Sequence, residues 1–258
     1  MEVNISSVRP EFDPIEARRK FGLIALATDL TTERDFPRVI PLDRAVVYST
    51  RVAFENPTTP ENLRKMAPLI TEAADLILPG EPLDAICYSC TAASVVIGDE
   101  EVAAAVHAAR PGIPVVTPSG AALKGFKALG VNRISVLTPY LVETSKPMAD
   151  YFTRCGLELQ AFHCLGLEDD RMMARVSQRT IIDAALDADS PATEAFFLSC
   201  TGLPALDAIA EIEELTGKPV VSSNQASAWE LMRHSGLNHV PIGYGKLFGC
   251  GLPAQDGV

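Results

Sequence analysis

The chain has 258 residues, 47% of them apolar, and its 33 acidic against 22 basic side chains give a net charge of −11. That charge repels nucleic-acid phosphates and anionic membranes, and no apolar run approaches the roughly 20 residues of a membrane span. Neither a nucleic acid nor a membrane is therefore expected as a partner, and the apolar content suffices for one large core or two modest ones.

Residues 1–19 are polar, with acids mixed among the bases, and read as an arm rather than a secretion signal or transit peptide. A cytoplasmic location with reduced cysteines is the expectation. Phe21–Leu26, in FGLIALATDL, suits a buried strand. Residues 60–78 carry apolar side chains at helical spacing behind Pro60 and Glu61, which suit a helix start. The apolar run in LDAICYSCTAAS ends on Ser89-Cys90-Thr91. A helix over 99–110 follows, then GIPVVTPS from Gly112 and a helix over 121–129. The second half runs from the strand-like Ile134–Leu137, in RISVLTPYL, to a helix over 144–154. EAFFLSCTGLPALD then carries Ser199-Cys200-Thr201, followed by a helix over 205–215, GKPVVSSN from Gly217 and a helix over 226–234.

These landmarks repeat. Thr28 aligns with Thr138 at an offset of 110, and the two SCT tripeptides share that offset. The PVV segments are offset by 105, and Gly130-Val131-Asn132 matches Gly236-Leu237-Asn238 at 106. Four landmarks in one order imply duplication of one unit. Alternating strands and helices imply parallel sheets. The expected fold is α/β, with two doubly wound parallel-sheet lobes related by a pseudo-twofold and the active site between them. The first lobe would comprise 20–118 plus 222–258, the second 119–221, with the helices after the PVV segments crossing between them.

In open α/β sheets, ligands sit beyond the carboxyl ends of the strands. Cys90 and Cys200 occupy that place in both copies. A thiol at a helix N-terminus is expected to ionise more easily, and the free N–H groups there can hold a carboxylate. A cysteine ending a buried strand is otherwise a small core residue, and Cys87, Cys155, Cys164 and Cys250 read that way. Cys87 and Cys90 form a C-x-x-C, but no second such pair exists and the four histidines are isolated, so no metal site is expected. No nucleotide-binding or hydrolase motif is present.

These segments resemble the aspartate/glutamate racemase superfamily, and within it the maleate isomerase and arylmalonate decarboxylase branch. The resemblance covers about residues 20–250, through GLIALATDLTTERDF, YSCTAAS, GIPVVTPSGAALKGFKALGVNRISVLTPY, LSCTGLPALDAIAEIE and GKPVVSSNQASAW. It implies that Cys90 and Cys200 face each other across a small carboxylic acid, without a cofactor. It implies that Thr91 and Thr201 bind a substrate carboxylate by backbone N–H and hydroxyl, and that Tyr140 hydrogen-bonds it. Relatives imply a homo-oligomer, a dimer or larger. Two departures stand out. Maleate isomerases carry Asn in the first loop, where this chain has Leu30. Arylmalonate decarboxylases have only the second thiol.

The expected activity is racemisation or epimerisation of a small amino dicarboxylate, with one thiolate removing the α-proton and the other thiol reprotonating the opposite face. A similarity to the ectoine-utilisation branch implies a substrate of aspartate or 3-hydroxyaspartate type. Arg51, in YSTRVAFENP, is a candidate for the distal carboxylate, and Thr28, Asp29, Ser222 and Ser223 are further pocket candidates. The alternative is cis-trans isomerisation of maleate or a relative, with Cys90 adding to the double bond and Cys200 acting as acid. A reading of another class is a two-lobed small-acid binding protein without catalysis.

Overall fold

The computed structural model describes residues 1–12 and 18–254. The N-terminal arm and the C-terminal tail thus lie partly outside the described residues, at 13–17 and 255–258.

Two four-stranded parallel sheets organise the chain. The first contains β1 (Arg19–Leu26), β2 (Ala45–Val52), β3 (Ala85–Ser89) and β4 (Val115–Val116). The second contains β5 (Arg133–Tyr140), β6 (Glu158–Leu167), β7 (Ala195–Leu198) and β8 (Val220–Ser222). Their spatial orders, β2-β1-β3-β4 and β6-β5-β7-β8, are the same when the second copy is laid on the first. Parallel strands need crossovers that cover the sheet faces. The helices are α1 (Thr32–Val39), α2 (Pro60–Arg64), α3 (Ile70–Asp75), α4 (Thr91–Ile97), α5 (Asp99–Ala109) and α6 (Pro118–Leu129). In the second half come α7 (Val142–Arg154), α8 (Asp170–Met173), α9 (Gln178–Asp187), α10 (Ile209–Thr216) and α11 (Ser223–His234).

The inner strands β1, β3, β5 and β7 are buried along nearly their whole length, as their continuous apolar runs require. The expected helix over 60–78 is broken. Pro68 lies in a 3-10 turn, Ala67–Leu69, that separates α2 from α3; a proline inside a helix removes a backbone donor and clashes with the preceding turn. The helix expected at 205 starts at Ile209, behind Pro204 and a 3-10 turn. Gly98, at φ 111°, lets α4 stop and α5 start at once, a conformation that a side chain would strain.

Two helices join the halves. Thr117 caps α6 by accepting the Gly120 N–H at 3.2 Å, with Pro118 in the first turn. Ser222 caps α11 in a reciprocal box with Gln225. α6 and α11 pack against each other, and each also touches strands of both sheets. No helix among the described residues is long and apolar enough to cross a membrane.

Candidate active site

The carboxyl ends of β3 and β7 converge on one narrow cleft, which both Cys90 and Cys200 line. The thiols are 5% and 6% exposed, so each touches the cleft while its surroundings are protein. Cys90 is the N-cap residue of α4. Cys200 is different: the chain behind it makes a turn through Gly202 and Pro204 before α10. The expectation of a helix starting directly at both thiols therefore holds only for Cys90.

Burial also reverses the expected ionisation. A buried thiolate loses its hydration, and this outweighs the nearby amides. The Cys90 thiol is pushed well up by burial, opposed by the Ala93 N–H, and raised further by the charges of Cys200, Asp29 and Asp170. Burial pushes Cys200 up to about 11, against three donors that favour its anion: the Tyr140 hydroxyl and the N–H groups of Gly202 and Leu203. Cys87, fully buried in β3, is pushed up to about 12 by burial and lies outside the cleft.

Of the other sequence candidates, Thr28, Asp29, Tyr140 and Thr201 line the cleft. Asp29 sits in the turn after β1, where its carboxylate accepts the Thr31 and Thr32 N–H groups at 2.7 and 2.9 Å and the Thr32 hydroxyl at 2.6 Å. Burial still raises its pKa. Thr201 donates to the Ser89 carbonyl at 3.3 Å, across the two lobes.

Thr91, Ser222 and Ser223 are buried beneath the cleft rather than lining it. Thr91 donates to the Ser223 hydroxyl at 2.7 Å, and that oxygen also accepts the Cys200 N–H at 3.0 Å. The Thr91 side chain is therefore occupied in joining the turns that carry the two thiols. Ser222 serves as the α11 cap.

Arg51 is not placed to meet a carboxylate in the cleft. Its guanidinium donates to the carbonyls of Leu26, Ala27 and Asp29 at 3.0–3.2 Å and pairs with Glu33. The turn after β1 presents three carbonyls to one guanidinium nitrogen, Nη1, while Nη2 takes Glu33.

Three residues that the motifs did not single out complete the arrangement. Asp170 lines the cleft; its carboxylate accepts hydrogen bonds from the Thr28 hydroxyl and, at 2.8 Å, from the Asn56 amide. The buried Asn224 amide donates to Asp35 and to the Thr201 carbonyl, both at 2.9 Å, and holds the Cys200 turn from behind. No local signal marks Asp170 and Asn56, which meet across 114 positions of sequence; Asn224 does fall within the repeated GKPVVSSN segment. Among the described residues no group of acidic, histidine or cysteine side chains could hold a metal ion.

The chain is similar to several known proteins. The profile of the Amdase family, described as arylmalonate decarboxylase, matches residues 70–248. An arylmalonate decarboxylase of Bordetella bronchiseptica is 37% identical over 140 residues, 53% of this chain and 58% of that enzyme. A maleate isomerase of Alcaligenes faecalis is 24% identical over 84% of this chain and 91% of its own length. Among solved structures, a Nocardia farcinica maleate cis-trans isomerase with a covalently bound succinylcysteine intermediate superposes with a TM-score of 0.82 at 23% identity, over 89% of this chain and 98% of that one. A liganded mutant of arylmalonate decarboxylase gives 0.79 at 29% identity, over 90% of this chain and 98% of that one.

Proposed function

The chain belongs to the arylmalonate decarboxylase family, and on that premise we propose that it is a cofactor-independent isomerase in which Cys90 and Cys200 act on a small carboxylic acid held between them. The observation that carries this reading is the convergence of two buried thiols, from equivalent strand ends, on one cleft. A decarboxylase that protonates one face needs a single thiol; two thiols suit a reaction in which a group added or removed on one side is answered from the other.

Cis-trans isomerisation of a maleate-type acid fits best, and it displaces the racemase expectation as the leading reading. Two supports favour it. Maleate isomerases match this chain over most of its length. The donors also gather on one thiol. In this reaction the Cys90 thiolate adds to one alkene carbon, and the π pair moves to the neighbouring carbon. Cys200 gives that carbon its proton. The former double bond, now single, rotates. The Cys200 thiolate then takes the proton back, the C–S bond breaks, and Cys90 leaves as thiolate from the trans product. Between the two halves the negative charge rests on Cys200, where Tyr140 and the Gly202 and Leu203 N–H groups stabilise it.

One observation favours a second reading. Asp170 faces the cleft, where its carboxylate suits a substrate ammonium. This suits α-proton exchange on an amino dicarboxylate of aspartate or 3-hydroxyaspartate type. Incubation in heavy water separates the two. Fumarate formed from maleate, and lost in Cys90→Ser and Cys200→Ser, is the expected result. Deuterium entering the α-carbon of aspartate with no fumarate formed moves the assignment to the second reading. Turnover that survives both substitutions defeats both.

A further inference from the structure

The cleft has a charge character that the thiol chemistry leaves unused. Two carboxylates line it, Asp29 and Asp170, and no lysine, arginine or histidine does so among the described residues. Asp29 is consumed by its own turn, with two N–H groups and a hydroxyl on its oxygens. Asp170 is not. One oxygen accepts from the Thr28 hydroxyl and the other from the Asn56 amide, while a carboxylate has about four acceptor positions. Both partners are neutral, and no cation lies within salt-bridge distance of Asp170 among the described residues. Arg171, the cation next in sequence, is turned onto Asp169 instead.

The position of Asp170 is fixed and central. Asn56 clasps the residue from two sides, donating to the carboxylate at 2.8 Å and accepting the Asp170 N–H at 3.2 Å. Its backbone carbonyl lies against the Cys200 turn, near Gly202. Its negative charge acts on the Cys90 thiol and on the Tyr140 hydroxyl. A dianionic substrate would therefore bring a second carboxylate towards a fixed one with no cation between them, and like charges brought together cost affinity. An N–H group meeting the same oxygens would gain a charge-assisted hydrogen bond.

We propose that Asp170 determines specificity by accepting an N–H donor of the substrate, so that the preferred small acid carries an ammonium or amide that a simple diacid such as maleate lacks. This rests on the reading of the cleft as the active site, and applies to either isomerisation. A bound ammonium would also offset the charge that opposes ionisation of the thiols.

The test is a ratio measured within each protein. Binding of maleate, of its monoamide and of L-aspartate is followed by calorimetry on Cys200→Ser, and on Cys200→Ser combined with Asp170→Asn. In the first protein an N–H-bearing acid should bind about tenfold or more tighter than maleate. In the second the ratio should fall to about one or invert, because the amide presents its own donors. The monoamide and aspartate arms distinguish an amide from an ammonium. Tighter binding of maleate in the first protein, a ratio unmoved by Asp170→Asn, or binding of none of the three overturns the assignment. Wild-type turnover that survives Cys200→Ser defeats the active-site reading instead, and leaves the binding ratio to be judged by itself.

Discussion

The Thr91 hydroxyl lies 2.7 Å from that of Ser223, and it is through this contact that the turn behind Cys90 is tied to the turn of Cys200, whose N–H reaches the same oxygen at 3.0 Å. All of these atoms are buried. Ser223→Ala removes the shared acceptor and strands one amide and one hydroxyl. A loss of about 1–3 kcal/mol of stability is expected, from the cost of an unsatisfied buried donor. Denaturant unfolding measures it. Because both thiol turns lean on this one oxygen, kcat should fall more than KM rises.

Activity should climb with pH across the neutral and mildly alkaline range. Cys200, pushed up to about 11 by burial, and Cys90, raised further, are both mostly protonated at pH 7, and a reaction that uses a thiolate follows its fraction. Tyr140→Phe removes a donor that favours the Cys200 anion, the state reached once Cys90 has added, so the rate falls while the ascending limb, which follows the Cys90 thiolate, stays in place. At pH 7 the rate should drop by about tenfold to a hundredfold, in line with loss of one donor to a developing anion. A pH–rate profile of both proteins decides it; an undiminished rate would sink the role given to Tyr140.

Arg51→Lys should fail to rescue Arg51→Ala. One guanidinium nitrogen serves the three carbonyls while the other pairs with Glu33, and a lone ammonium on a shorter stem cannot occupy both places. Both variants should lose about 1–2 kcal/mol, a value kept low because the side chain is partly exposed. The Asp29 turn loosens with them, so turnover should fall in both by similar factors. Thermal unfolding and initial rates provide the check.

Lys124 pairs with Glu230, whose side chain is wholly buried between α6 and α11 and has one oxygen without a partner among the described residues. Among the described residues, Lys124→Met leaves that carboxylate with His234 alone, 3.1 Å away. A loss of about 2–4 kcal/mol is expected, since removing one partner strands the other charge. Joint replacement, Lys124→Met with Glu230→Met, should recover much of it in the same unfolding measurement.

The duplication was readable because it repeats at strand tips, where apolar runs end abruptly on SCT and PVV. The edge strands β2 and β6 were harder to see, since both are half-buried and carry no continuous apolar run. Both thiols line the cleft, but burial raises their pKa where the strand-end position alone predicts easier ionisation. Position behind a strand is a local property, whereas burial at 5–6% exposure depends on the other lobe. Arg51 misled for a related reason: a cation near the site suggests a substrate anion, and only the backbone path shows carbonyls claiming it first. Asp170 and Asn56 come from separate loops, and their meeting has no trace in either segment.

The two copies share a backbone plan and differ in what surrounds corresponding atoms. The Ser89 hydroxyl meets Thr32 at 2.9 Å, whereas the corresponding Ser199 hydroxyl has no partner among the described residues. Tyr140 serves one thiol only. In an assembly of two identical chains every substitution is written twice, and a pair of facing thiols must stay alike. Joining the copies in one chain lifts that constraint. Each half could then drift by itself, until the same cysteine became a holder of negative charge on one side and a bond-forming sulfur on the other.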